Sequence, residues 1–266
     1  MSEAGNSISL RADKLTKRFG GFYALKDFDM DVAKGDIHAV IGPNGAGKTT
    51  FFNLVTGMLP ADSGRITFED EAIDDPRPSR RTMRGIARTF QNIRLFGQMT
   101  VLENVMLGRH CRAYLSLWKA LRNTVLHRPL GEAEEEREMR GHALEILDFL
   151  GLSDERHAKA TDLSHGKQRK LELARALATD PRLLLLDEPA AGMNPHETEE
   201  LDDVICSVRD RGITIILVEH DMNLVMGISD RVTVLNFGTK IAEGAPKEIQ
   251  DDPTVIEAYL GEDVSL

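Results

Sequence analysis

The chain of 266 residues, 41% hydrophobic and 29% charged, is long enough to bury a full core as one α/β domain or two closely packed lobes. Its net charge of −10 argues against nucleic acid as the main partner, because neutralising phosphates needs a basic face. Cys111 and Cys206 form no C-x-x-C pair, which leaves neither a disulfide framework nor a zinc site and points to packing thiols in a reducing compartment.

The start, from Met1 to Lys14, lacks the basic region and apolar core of a secretory signal. The stretch up to Asp36, with turns at Gly20-Gly21 and Lys34-Gly35, and the run from Gly64 to Glu69 read as strands of a small antiparallel sheet. The run from Ile37 to Ile41 is short, continuous and apolar, as in strands buried on both faces of a parallel sheet, and the runs Leu183 to Leu186 and Ile213 to Val218 repeat it. These runs are far shorter than the roughly 20 residues that cross a bilayer as a helix, so the chain is expected not to span a membrane. Open α/β sheets place ligands at the carboxyl ends of their strands, where Gly42, Asp187 and His220 fall.

Gly42-Pro43-Asn44-Gly45-Ala46-Gly47-Lys48-Thr49, followed by Thr50, matches G-x-x-x-x-G-K-[ST] between the first apolar run and a helical stretch ending near Gly57. Glycines let the backbone wrap a triphosphate so that amide N–H groups and the positive helix end face it. Lys48 adds a point charge for the β/γ oxygens and Thr49 can ligate Mg²⁺. ATP and Mg²⁺ are the expected ligands.

From Arg109 to Gly151 the pattern becomes helical. Tyr114, Leu117, Trp118, Leu121 and Val125 recur at three- and four-residue steps, and so do Met139, Ala143, Leu147 and Leu150. This reads as a helical lobe inserted into the α/β core, with Glu132 to Glu136 a solvated face. Arg109, Arg112, Lys119, Arg122 and Arg128 leave two readings of the insert, contact with anionic headgroups or packing onto the helical lobe.

In Leu163-Ser164-His165-Gly166-Lys167-Gln168-Arg169, Ser164 is an N-cap for a helix expected over Lys170 to Thr179, and the amides at such a start form an anion site. Leu183-Leu184-Leu185-Leu186-Asp187-Glu188 brings two carboxylates to a strand end, Asp187 placed to hold Mg²⁺ and Glu188 to polarise an attacking water. The segment from Thr239 to Leu266 reads as a short strand, a Gly-Ala-Pro turn and one closing helix.

As an ordered set these segments resemble the ATPase subunits of ABC transporters. Leu163 to Gln168 resembles the signature L-S-G-G-Q, with His165 at its first glycine and Lys167 at its glutamine. The resemblance implies that Ser164, His165 and Gly166 bind a γ-phosphate held on the opposite subunit. It gives Gln91, in Arg88-Thr89-Phe90-Gln91-Asn92, the part of a sensor of Mg²⁺ and water, and His220 that of a switch contacting γ-phosphate. Phe19 matches the aromatic that stacks on adenine, a part Phe22 or Tyr23 could take instead.

The implied fold is α/β, a P-loop ABC ATPase with a mostly parallel sheet, an N-terminal antiparallel β subdomain and an inserted helical subdomain. It spans residues 8–260, with the core at about 8–95 and 180–260 and the helical lobe at about 96–179. Arg88 to Phe96, Asp187 to Pro195, Glu219-His220-Asp221-Met222 and the ending Ala258-Tyr259-Leu260-Gly261 are similar to the branched-chain amino-acid importer ATPases. That implies ATP hydrolysis with Glu188, His220 and Gln91 as catalytic groups and Thr49, Gln91 and Asp187 around Mg²⁺. It also implies a peripheral place on the cytoplasmic face of the membrane, with two hydrophobic permease subunits and a second ATPase subunit, related or identical. An external substrate-binding protein would act indirectly, and nucleic acid would be no partner. Importers of urea and short amides carry related ATPases. A soluble ABC ATPase acting on ribosomes or DNA would more usually carry two cassettes or a long coiled coil.

Overall fold

The computed structural model describes residues 7–109 and 132–260. The helical pattern from Tyr114 to Val125, Cys111, the basic residues Arg112 to Arg128 and the side chains of residues 132–135 lie outside that description. Two sheets form the frame. β1 (Ile8–Phe19), β2 (Phe22–Ala33), β4 (Ser63–Phe68) and β5 (Glu71–Ala72) make an antiparallel sheet in the order β2-β1-β4-β5. β1 and β2 join at the expected Gly20-Gly21 turn, where Gly20 has φ +61°.

The second sheet has the order β10-β9-β3-β8-β7-β6. Its central strands β3 (Ile37–Ile41), β7 (Leu183–Asp187) and β8 (Thr214–Val218) are the three apolar runs, and every residue in them is buried. β6 (Ile86–Arg88), β7, β8, β3 and β9 (Arg231–Asn236) pair in parallel, and only β10 (Thr239–Gly244) runs antiparallel at the edge. Burial on both faces explains why alternation is missing from the central strands and why branched residues fill them. β6 is too short to register as a periodic pattern.

The two faces of this sheet feed different cores. Leu184, Leu186, Ile215 and Leu217 pack among the helices α3 (residues 101–109), α4 (Glu132–Phe149), α5 (His165–Leu177) and α6 (Pro195–Asp210), meeting Val105, Leu147, Leu171 and Ile205. Leu183, Leu185, Ile216 and Val218 pack with the antiparallel sheet and with Phe51 and Phe52 of α1 (Lys48–Val55). A third cluster joins Val232 and Val234 of β9 to Val225 of α7 (Met222–Ile228), Ile249 of α8 (Pro246–Gln250) and Val255 of α9 (Pro253–Leu260). Among the described residues the remaining α-helix is the short α2 (Pro78–Met83). Each fully buried leucine or isoleucine contributes about 1.5–3 kcal/mol, which makes the central strands a firm base for whatever their ends carry.

Two expectations need correction. The helix after Ser164 begins at His165, not Lys170, because Ser164 in extended conformation (ψ 159°) caps it and accepts from Lys167 N at 3.5 Å. The closing helix is two helices, since Pro253 lacks the N–H that would continue α8 and its ring excludes helical geometry before it. Among the described residues no helix is long and apolar enough to cross a membrane.

Candidate active site

β3, β7 and β8 end side by side, and the loops leaving them build the site. The loop Gly42 to Gly47 joins β3 to α1, whose first-turn amides have no partners within the helix and no acidic side chain competing for them. Two glycines are forced. At Gly42 (φ +147°) a Cβ would lie 2.0 Å from Leu235 O, and at Gly47 (φ +112°) 2.4 Å from Ala24 O. The loop is thus pressed onto the main chain of β9 and β2, which fixes its shape. Lys48, 6% exposed, folds its Nζ back to donate to Gly42 O and, at 2.9 Å, to Pro43 O.

Phe19, Phe22, the stretch from Asn44 to Thr50, Gln91, Glu188 and His220 line one cleft of about 330 Å³. Phe19 and Phe22 stand half exposed at its rim, whereas Arg18 covers the ring of Tyr23 at 4.8 Å. A larger groove of about 630 Å³ between α7 and α9 is lined by Met222, Met226, Ile249 and Tyr259 and by no lysine, arginine or histidine, which suits it poorly to a triphosphate.

Glu188 is the hub of the cleft. It sits at φ +48°, a region that costs a non-glycine residue energy, and its N–H donates to Val218 O at 2.8 Å. Its two carboxylate oxygens accept from Gln91 Nε2 at 2.8 Å and His220 Nε2 at 3.1 Å. The three residues come from the ends of β6, β7 and β8. Buried Glu219 joins the loop after Glu188 to His220, accepting from Ala190 N at 2.8 Å and His220 N at 3.0 Å. Burial raises its carboxyl pKa, and these backbone donors act in the opposite direction.

Asp187, 5% exposed, pairs with Arg88 at 2.6 Å. Arg88 also donates to Asn53 Oδ1 at 2.6 Å and lies between the rings of Phe52 and Phe90, at 5.3 and 5.2 Å. Nothing in the sequence pattern singles out Arg88, Glu219 or Arg169, although each lies in or beside one of the motifs. Thr49, Gln91 and Asp187 offer hydroxyl, amide and carboxylate oxygens, and no group of three or more His, Cys, Asp or Glu among the described residues encloses a metal. That donor set fits Mg²⁺, a hard ion that keeps water and phosphate oxygens in its shell, better than zinc.

Ser164, His165 and Gly166 are not among the residues lining the cleft. Ser164 and His165 are exposed at the start of α5, and a Cβ on Gly166 would meet Glu197 Oε1 at 2.6 Å. Lys167 is turned away onto Glu155, while Gln168 Nε2 donates to Ala160 O and Leu163 O, both at 3.2 Å. The helix start is thereby held rigidly with its outer face open.

A family profile described as ABC transporter matches residues 25–191, and one described as branched-chain amino acid ATP-binding cassette transporter matches residues 239–265. The high-affinity branched-chain amino acid transport ATP-binding protein LivG of Salmonella typhimurium is 42% identical over 254 residues, 95% of this chain and 98% of its own. BraF of Pseudomonas aeruginosa, of the same description, is 41% identical with the same coverage. A crystal structure of the ADP conformation of an ATP-binding cassette of an ABC transporter superposes with a TM-score of 0.82 at 37% identity, covering 96% of this chain and 99% of that one.

Proposed function

The chain belongs to the ABC transporter family as one of its ATPases, and from that premise we propose that it hydrolyses ATP to energise import of branched-chain amino acids. The observation that carries the chemistry is the Glu188 carboxylate held between Gln91 and His220 in the same cleft as Lys48 and the start of α1. The likeness to LivG and BraF over nearly the whole of each chain carries the substrate class.

ATP enters with its phosphates on the amides of the loop Gly42 to Gly47 and its base on Phe19, with Phe22 beside it. Lys48 exchanges the loop carbonyls for β/γ oxygens, a swap of neutral acceptors for charged ones. Thr50 extends the amide row. Thr49, Gln91 and Asp187 would hold Mg²⁺, which supplies charge neutralisation on the phosphates. Glu188 accepts a proton from the attacking water, and its bonds to Gln91 and His220 hold it where that water must sit. His220 then faces the γ-phosphate.

Ser164, His165 and Gly166 stand outside this cleft, which supports a site completed by the α5 start of a second ATPase subunit. ATP bound between two such subunits favours the closed pair by its differential affinity for that state, and cleavage removes the bridge. The division into a core of residues 8–95 and 180–260 and a helical lobe of 96–179 belongs to this proposal, as do two hydrophobic permease subunits, an external binding protein and a place on the cytoplasmic face of the membrane. The test is uptake of labelled leucine into vesicles carrying the assembled transporter, its binding protein and internal ATP. Uptake should stop with Lys48→Ala, and uptake that persists with a nucleotide-blind chain would refute the proposal.

A further inference from the structure

Resting on the reading of Glu188 as the base, we propose that Arg169 is a positioning residue for hydrolysis, setting Gln91 and the loop after Glu188 from the helix that carries Ser164. Arg169 lies one turn into α5, and its side chain is 7% exposed. Its guanidinium spans two loops that belong to the cleft. Nη1 donates to Phe90 O at 3.0 Å, while Nη2 donates to Gln91 O at 2.7 Å and to Ala191 O at 3.4 Å. A planar fork can hold several carbonyls at once where an ammonium cannot.

Glu172, 3% exposed and 3.7 Å from Arg169, takes up the other side of the same strand exit by accepting from Arg94 N at 3.4 Å. Between them the pair grips the chain from Phe90 to Arg94, and Gln91 within that grip is the residue that donates to Glu188. Ala191 stands three residues beyond Glu188 in the turn where Ala191 N donates to Glu188 O. One side chain of the α5 helix therefore touches the main chain on both sides of the base.

The arrangement is a poor way to gain stability. Arg169 Nε is buried without a hydrogen-bond partner, and a buried ion pair that leaves a donor unsatisfied is often no better than apolar residues of like volume. Its geometry suits coupling instead: a shift of α5, whose start completes a second subunit's site in the proposed pair, moves the Gln91 main chain and with it the donor on Glu188.

A double-mutant cycle on ATP turnover tests this, measured by steady-state phosphate release over a range of ATP concentrations in the complex that hydrolyses ATP, with the rate of the Glu188→Gln complex subtracted. Arg169→Ala should lower kcat about 30-fold, as a small misplacement of a catalytic group does, and leave KM for ATP within about twofold. In a Gln91→Ala background the same change should lower kcat by no more than about threefold, because the Gln91 side chain is gone and only the hold on Ala191 O, the longer of the bonds at 3.4 Å, still bears on Glu188. Arg169→Lys keeps the charge beside Glu172 without the fork and should fall between. It takes the place of the alanine variant if that does not fold. Equal fold-losses in both backgrounds, or a KM effect with kcat unchanged, would overturn the inference. If Glu188→Gln itself turns over ATP like the parent, the reading of the base fails. If Glu188→Gln is inactive and the two losses multiply, only the role of Arg169 fails.

Discussion

Replacing Glu188 by glutamine removes a charge and a proton acceptor while leaving most of the local geometry intact. The amide oxygen can still accept from Gln91 Nε2, now at 2.8 Å, and the amide nitrogen can donate to His220 Nε2, at 3.1 Å, once the imidazole carries its proton on Nδ1. Glutamine bears the same backbone cost at φ +48° as glutamate. Two charge-assisted bonds become neutral ones, a loss of about 1 kcal/mol each at most and less in a side chain open to water. Stability should therefore change by no more than about 1–2 kcal/mol. Loss of the general base should lower single-turnover hydrolysis by about 100- to 10,000-fold, about 2.7–5.5 kcal/mol on the barrier. ATP binding should persist, and the uncleaved nucleotide should hold a dimer that light scattering detects. Hydrolysis within about tenfold of the parent rate would refute the assignment of the base.

Three further outcomes follow from local geometry. Gly42→Ala would set a Cβ 2.0 Å from the carbonyl of Leu235, so its urea midpoint should fall by the equivalent of about 3 kcal/mol or more and nucleotide binding should go with it. Asp202 has a buried oxygen without a partner, and burial followed by Asp221 and other nearby carboxylates pushes its pKa up from 3.8 to about 6. The native state then holds this proton more tightly than the unfolded chain, so stability falls as pH rises through that window. Asp202→Asn should gain on the order of 1 kcal/mol at pH near 7.5 and nothing near 4, as read by thermal melts at each pH. Burial holds His38, 2.8 Å from Thr233 Oγ1, down at about 4 against an ordinary 6.5, so its contribution is whole above 6.5 and is lost as pH falls toward 4. That loss is about 3 kcal/mol, and a His38→Asn variant should show a correspondingly flatter acid limb.

The parts of this protein legible in its sequence are those whose physics is local. The strands β3, β7 and β8 announce themselves because burial on both faces demands unbroken apolar runs, and the phosphate loop does so because wrapping an anion needs glycines at fixed steps beside a lysine. The turn at Gly20-Gly21, the helical spacing of Ala143, Leu147 and Leu150, and Ser164 as a cap are equally local. Glu219 and the pair Arg169 and Glu172 are different. On paper an arginine and a glutamate three apart on a helix read as an ordinary solvated pair, yet both are buried at the junction of α5 with the strand exit that bears Gln91. Arg88 likewise looks like one more surface cation until β6 is seen to lie beside β7, which puts it on Asp187.

What the sequence alone determined is the set of chemical groups and the strand ends that carry them, because motif and hydrophobic pattern are written in neighbouring residues. The parallel order β6-β7-β8-β3 decided that Gln91, Glu188, His220 and Lys48, scattered over 173 positions from Lys48 to His220, share one cleft. Packing, not sequence spacing, supplied the buried side chains that aim them, since a hydrogen bond between residues far apart in the chain has no local signature and exists only once the sheet has closed.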